Sequence, residues 1–270
     1  MQIVFTDLDG TLLDGDTYSW DAARPAIQRL IDAKIPWIFA TSKTRTETEF
    51  WRREMENQHP FVVENGGAAL VPRGYFATPI AGARHIQDYD LMEWGTPYPS
   101  LIAALRQASE TSGCRVRGFH DMSILEVAEA CGLPPDLAEL AKRREYDEPF
   151  TVLDENQASG LVAAIESQGL RCMRGGRFWH ITGSNDKGVA VRALTALFTE
   201  VYGPVTTIGL GDGLNDAPLL RQVQIPILIL SRQSEELKKL VPRGTVTQKG
   251  GPEGWKEAIL QMIPSPAGTA

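Results

Sequence analysis

Cysteine is scarce in this chain: Cys114, Cys131 and Cys172 are the only three in 270 residues, and they lie far apart. With no CxxC pair and no metal-site spacing, they read as free thiols of a reducing compartment and exclude a disulfide framework. No apolar run approaches the length of a membrane span. No Lys/Arg run is present either, and the formal net charge is -7, from 34 acidic against 27 basic residues. That balance is poorly suited to a nucleic acid backbone, although a few local basic groups can still hold a small anion. Met1 to Phe5 lead directly into a strand pattern, without the basic region and apolar stretch of a targeting signal. A soluble, cytoplasmic protein is expected, with a small-molecule ligand and no nucleic acid, membrane or protein partner. Repeats are also missing, and the small-residue tail Pro264 to Ala270 is expected to fray.

What is present is apolar material for a sizeable core, 43% of the residues, spread along the whole length. A chain about twice the usual domain size suggests two domains, or one with a large insertion. Ile3–Thr6, the continuous apolar run Ile35–Ala40 and Phe61–Val63 read as strands. Between them fall helical patterns over Ala22–Ala33 and Thr44–Glu56, the latter with Thr44 and Glu47 at capping-box spacing. The rhythm returns as a helix over Asp186–Tyr202, a strand over Val205–Leu210, a helix over Leu214–Gln222, a strand over Ile225–Leu230 and a closing helix over Trp255–Ile263. Such alternation implies a parallel sheet of the α/β class, Rossmann-like in its organisation. The texture changes in between, with helical patterns over Leu101–Ser109, Ile124–Cys131 and Leu137–Arg144 and an isolated strand over Phe150–Leu153. The expected organisation is an α/β core of residues 1–78 and 180–270, with an α+β unit inserted over 79–179.

Chemistry concentrates at the ends of the core strands, where open α/β sheets place their ligands. Asp7-Leu8-Asp9-Gly10-Thr11 follows the first strand, and carboxylates at i and i+2 of an extended segment point to the same side. One can attack phosphorus while the other moves protons, with a cation offsetting the repulsion between anions. An acidic Asp-Gly turn with no such role has the same local sequence. A second acidic cluster, Gly211-Asp212-Gly213-Leu214-Asn215-Asp216, follows another apolar strand and can complete an oxygen-rich magnesium site. Asp216 can equally cap the helix that follows. Thr41-Ser42-Lys43-Thr44-Arg45 joins a buried strand to a helix start, a place suited to holding phosphate oxygens. Lys43, Arg45 and Lys187 sit against the helix dipole, a penalty that a bound anion reverses and solvent merely screens.

Together these pieces resemble the haloacid dehalogenase superfamily of phosphatases, on Asp7 to Thr11, Thr41, Lys187 and Gly211 to Asp216. The insertion resembles that superfamily's larger α+β cap. A closer resemblance is to the mannosyl-3-phosphoglycerate phosphatase family. It rests on Thr41 to Glu47, Pro60 to Gly67, Arg144 to Glu148, Gly176 to His180 and Ser184 to Gly188. It implies a magnesium-dependent phosphatase acting on mannosyl-3-phosphoglycerate, with Asp7 as nucleophile and Asp9 as general acid/base. Thr41 and Lys187 would hold the transferring phosphoryl group, and Asp7, Asp9, Asp212 and Asp216 would surround the metal.

An acidic sugar phosphate also needs groups for its carboxylate and hydroxyls. Ser42, Lys43, Asn65, the amides of Gly66 and Gly67, Arg177, His180, Ser184 and Asn215 are the candidates. His180 reads equally as a packed histidine beside Trp179, and Arg144 as a solvated helix end rather than a substrate contact. The rival readings are a glucosyl-3-phosphoglycerate or general sugar phosphatase, a phosphomutase, and a silent sugar-phosphate-binding regulator.

Overall fold

Ile3, Val4 and Phe5 are all fully buried, Val4 on one face of the sheet and its two neighbours on the other. A strand covered on both faces belongs at the centre of a parallel sheet, and β1 (Gln2–Thr6) occupies that place in the computed structural model, which describes residues 1–174 and 177–263. The expected frayed tail and Gly176 lie outside the described residues. In chain order β1 is followed by β2 (Trp37–Ala40), β3 (Phe61–Val63), β4 (Ala68–Pro72), β5 (Arg84–Ile86) and β6 (Tyr89–Glu93). Then come β7 (Val116–Gly118), β8 (Asp147–Val152), β9 (Arg171–Arg174) and β10 (Trp179–Thr182). The last three are β11 (Thr206–Gly211), β12 (Ile225–Leu228) and β13 (Thr245–Val246).

The larger sheet has the order β13-β12-β11-β1-β2-β3-β4-β6-β5. It is parallel from β13 to β3 and antiparallel beyond. Because β1 lies between β11 and β2, the loops leaving their carboxyl ends at Asp7, Thr41 and Asp212 start side by side. Helices Arg24–Asp32 and Gly251–Met262 bring Ile27, Leu30, Trp255 and Ile259 to one face. The Trp255 indole N–H donates to Thr6 Oγ1 at 3.0 Å, tying that layer to β1. Helices Lys187–Tyr202 and Ala217–Gln222 bring Ala190, Leu194, Phe198 and Leu220 to the other. The capping box read at Thr44 and Glu47 is present at the start of helix Arg45–Glu54. Among the described residues no helix is long and apolar enough to cross a membrane.

A smaller antiparallel sheet, β7-β8-β10-β9, forms the inserted cap. Helices Tyr98–Ser112 and Ala158–Glu166 cover one of its faces through Leu101, Leu161, Ile165, Phe150 and Ile181. The insertion expected over 79–179 differs at both ends. Strands β5 and β6 extend the large sheet, and β10 carries the small one to Thr182. The reason lies in hydrogen bonding: β6 pairs with β4 over five residues, and β5 with β6, which fixes both to the core. The exposed Arg84 and His85 give that hairpin little apolar alternation to read.

Polar contacts join cap to core. The segments on either side of the cap run together, with Ser184 Oγ donating to the Trp94 carbonyl at 2.8 Å. Glu64 is fully buried and accepts the amides of Glu145 and Tyr146, each at 2.8 Å. Thr44 and Thr46 hydroxyls donate to the Leu140 carbonyl of the cap. Gly66, at φ +91°, lets the loop after β3 press against the start of helix Lys187–Tyr202. A Cβ there would lie 2.3 Å from the Asp186 carbonyl carbon and 2.6 Å from the Lys187 nitrogen. Gly66→Ala is therefore expected to cost about 1–3 kcal/mol from the left-handed backbone alone, with the clash added. Urea unfolding at constant m checks it, and a variant as stable as the parent would show that this approach is loose.

Candidate active site

Three carboxylates meet where β1 and β11 end. Asp7 still belongs to the ladder, its amide donating to the Leu210 carbonyl at 2.9 Å, and its side chain is buried. One oxygen from each of Asp7, Asp212 and Asp216 falls within a set whose members lie within 4.8 Å of one another. Glycines make this crowding possible. A Cβ on Gly10 (φ +75°) would lie 2.7 Å from Asp212 Oδ2, and one on Gly211 2.5 Å from Asp216 Cβ. Asp216 Oδ2 accepts the amides of Asp212 and Gly213, so this residue organises its own loop as well as facing the cluster. Thr11 Oγ1 donates to Asp212 Oδ1 at 2.8 Å.

Lys187 supplies the counter-charge. It is 1% exposed, and its Nζ donates to Asp7 Oδ1 at 2.8 Å and Asp216 Oδ1 at 2.6 Å. Burial alone would lower its pKa, but Asp216 and Asp7 outweigh that and hold the ammonium above its ordinary value. Burial, then the charge of Asp216, holds Asp7 well above the usual carboxylate range, against the pull of Lys187. Burial and Asp216 push Asp212 up to about 7. One ammonium among three carboxylates leaves negative charge in excess, and every free donor is a hard oxygen. That set fits a divalent cation such as magnesium.

Asp9 stands apart. Its carboxylate is not in the acidic set; it is 39% exposed and ion-paired to Lys43 Nζ at 2.9 Å. Lys43 is 6% exposed, also faces Glu47 Oε1 at 3.7 Å, and lies over the Tyr18 ring. Burial works to lower its pKa, but Asp9 and Glu47 raise it beyond the ordinary lysine value. Asp9 was expected beside Asp7 on an extended segment, but the chain turns over Leu8–Thr11, where the Thr11 amide donates to the Leu8 carbonyl, and the Asp9 carboxylate pairs with Lys43. Thr41 is fully buried and its Oγ1 accepts the Lys43 amide at 3.1 Å.

The remaining candidates divide into two groups. Asn65, in the left-handed region at φ 57°, accepts from Asn215 Nδ2 at 3.3 Å, so these two join the loops after β3 and β11. Arg144 Nη1 donates to the Ser42 carbonyl at 3.2 Å. The helix expected to reach Arg144 stops at Ala141, so this arginine is no solvated helix end; it is buried against Asp147. His180 Nδ1 lies 2.9 Å from Asp147 Oδ1. Other positions do structural work. The Gly67 amide donates to the carbonyls of Val63 and Glu64, Ser184 ties the two cap-flanking segments, and Arg177 reaches the Cys131 carbonyl. Asp147 and Glu64 were not singled out as site residues, although each is an acid adjoining an apolar strand. Two surface depressions of about 410 and 500 Å³ lie elsewhere, share Arg52, Asn57, Gln58, Asp88 and Tyr89, and contain none of the candidates.

Comparisons with known proteins point to one family. A family profile described as haloacid dehalogenase-like hydrolase matches residues 4–76. The chain is 43% identical, over 97% of both chains, to the glucosyl-3-phosphoglycerate/mannosyl-3-phosphoglycerate phosphatase of Methanococcoides burtonii. It is 30% identical to the mannosyl-3-phosphoglycerate phosphatase of Pyrococcus horikoshii, over 89% of this chain and 95% of that one. A haloacid dehalogenase-like hydrolase from Bacteroides thetaiotaomicron shares the fold, with a TM-score of 0.68 at 16% identity, covering 97% of this chain and 99% of that one. The chain belongs to the haloacid dehalogenase-like hydrolases, in the family of the mannosyl-3-phosphoglycerate phosphatases.

Proposed function

We propose that this protein hydrolyses mannosyl-3-phosphoglycerate to mannosylglycerate and phosphate, with magnesium, through an aspartyl phosphate on Asp7. The observation that carries the reading is Lys187, buried between Asp7 and Asp216 within a three-carboxylate set at the carboxyl ends of adjacent parallel strands. A structural ion pair needs one acid per base; three acids around one base suit a site that receives further positive charge with a phosphate ester. A glucosyl-3-phosphoglycerate substrate is the second reading, favoured by the names of two similar proteins, the glucosyl-3-phosphoglycerate/mannosyl-3-phosphoglycerate phosphatases of Methanococcoides burtonii and Persephonella marina.

An Asp7 oxygen attacks phosphorus while the bond from phosphorus to the glycerate oxygen breaks. On leaving its ion pair with Lys43, Asp9 takes up a proton from solvent and gives it to that departing oxygen. Water then attacks the phosphorus of the aspartyl phosphate, Asp9 takes the water's proton, and Asp7 leaves as a free carboxylate. Lys187 holds Asp7 in place and offsets charge on the transferring group, and the Thr41 hydroxyl donates to that group in this reading. When bound by Asp7, Asp212 and Asp216, magnesium supplies the charge neutralisation that lets an anionic nucleophile approach an anionic ester. Asp9 must give up its ion pair with Lys43 to act at phosphorus, so Lys43 sets where the proton carrier rests.

Inorganic phosphate release from mannosyl-3-phosphoglycerate, glucosyl-3-phosphoglycerate and mannose 6-phosphate, with magnesium or chelator, tests the reading. Metal-dependent release is expected from the first, and release from none of them would overturn it. Asp7→Asn is expected to reduce turnover by roughly 10³-fold or more, because in this reading the phosphoryl intermediate forms on the Asp7 carboxylate. Wild-type turnover in that variant would falsify the nucleophile assignment. Magnesium alone should raise the melting temperature, since it binds the folded cluster and not the unfolded chain. Asp212→Asn should abolish most of that rise, and an undiminished rise would place the cation elsewhere.

A further inference from the structure

Three of the candidate residues, His180, Arg144 and Asn65, meet at one side chain, and Asn215 and Ser42 are linked to it through them. Asp147 opens β8 and is fully buried. Its two carboxylate oxygens lie 2.9 and 3.1 Å from His180 Nδ1. Arg144 Nη2 stands 3.6 Å from Asp147 Oδ2, and Arg144 Nε donates to the Asp147 carbonyl. The Asn65 side chain lies beside the same carboxylate, and through it the link continues to Asn215 in the loop that carries Asp212 and Asp216. Arg144 carries a second link to the Ser42 carbonyl.

Strand alternation places this group. In β10, Trp179 and Ile181 pack with Phe150 of β8 against the two helices of the cap. Successive side chains of a strand point to opposite faces, so His180 and Thr182 lie on the face away from those helices. Asp147 pairs directly with Thr182, and Pro149 with His180, which puts Asp147 on that face too. Its link to Asn65, and the link from its neighbour Arg144 to the Ser42 carbonyl, show that this face is turned to the loops of the catalytic core. His180 remains 21% exposed while Asp147 is sealed. With Nδ1 occupied by Asp147, the free imidazole nitrogen is Nε2.

We propose that Asp147 is a positioning residue that fixes His180 so that Nε2 contacts the non-phosphate part of the substrate, an oxygen of its glycosyl or glycerate group. This rests on the phosphatase reading above and deepens it by naming the cap's contact. An ionised partner on Nδ1 selects the tautomer and holds the ring plane. The asymmetry in burial agrees with that division of labour. Burial opposes ionisation of Asp147, but His180 and Arg144 outweigh it and keep the carboxylate below its ordinary pKa. The core's phosphate chemistry needs neither residue, so their effect should fall on substrates by what they carry besides phosphate.

The experiment compares Asp147→Asn, His180→Ala and the double variant on mannosyl-3-phosphoglycerate, 3-phosphoglycerate and p-nitrophenyl phosphate. Each single variant is expected to raise KM for the glycosyl ester tenfold or more while changing kcat/KM for p-nitrophenyl phosphate less than threefold. The double variant should be no worse than the poorer single one. A parallel loss on 3-phosphoglycerate identifies a carboxylate oxygen as the contact, and an effect confined to the glycosyl ester identifies a sugar hydroxyl. Imidazole ¹⁵N shifts should show His180 protonated at Nδ1 in the parent and altered in Asp147→Asn. Equal losses on all esters, additive effects or unchanged shifts would overturn the proposal. His180→Ala, at a partly exposed position, keeps it falsifiable where Asp147→Asn does not fold. Should no glycosyl ester be turned over, the substrate reading fails separately, and the nitrogen shifts alone decide the positioning of His180.

Discussion

Placing three carboxylates within 4.8 Å of one another inside a protein is unfavourable twice over, through lost hydration and through mutual repulsion. Lys187 relieves part of that cost, and the surrounding loops relieve more. The amides of Asp212 and Gly213 solvate Asp216, the Thr11 hydroxyl solvates Asp212, and Gly10 and Gly211 omit side chains that would collide with the acids. The raised pKa values of Asp7 and Asp212 record what is left uncompensated. A fold selected for stability alone would place apolar groups there. Such residual repulsion fits a site that could hold a metal ion.

The cap is held by a different kind of force. Each unit has its own apolar core, while the contacts between them are largely directional hydrogen bonds: Glu64 to two cap amides, Asn185 to the carbonyls of Glu64 and Tyr146, Thr44 to Leu140 and Arg144 to Ser42. Directional bonds define one docking geometry. They also have a modest net worth, because the groups that part regain water. Such a junction suits a cap that must both register on the core and let substrate in. Burial pushes Glu64 up to about 8, against the pull of Arg144 and the two amides, so the central fastening is itself under tension.

The parts of the site nearest the central strands were the most legible in sequence. An apolar run followed at once by Asp-Leu-Asp-Gly, Thr-Ser-Lys or Gly-Asp-Gly locates the carboxyl end of a buried parallel strand, and β1, β2 and β11 end as that pattern requires. Period-2 reasoning failed at Asp9 because it assumes an extended chain, and the backbone turns over Leu8–Thr11. It failed again at β5 and β6, where an exposed edge hairpin carries little apolar alternation. Arg144 was misread because a helical pattern gave no stop signal at Ala141. Asp147 passed unnoticed because its role comes from partners about 33 and 82 residues away, which no local pattern contains.

One short strand shows how both tasks fit in so little sequence. In Trp179-His180-Ile181-Thr182 the odd positions build the cap's apolar core and the even ones face the catalytic loops. A slip of one residue in the pairing with β8 would exchange those faces, burying imidazole among leucines and turning Ile181 to the polar side. The Asp147–His180 contact opposes that slip together with the packing of Ile181, since it forms in the observed register. Strand register and the proposed recognition contact therefore depend on the same two side chains, and the core's acidic cluster shares neither.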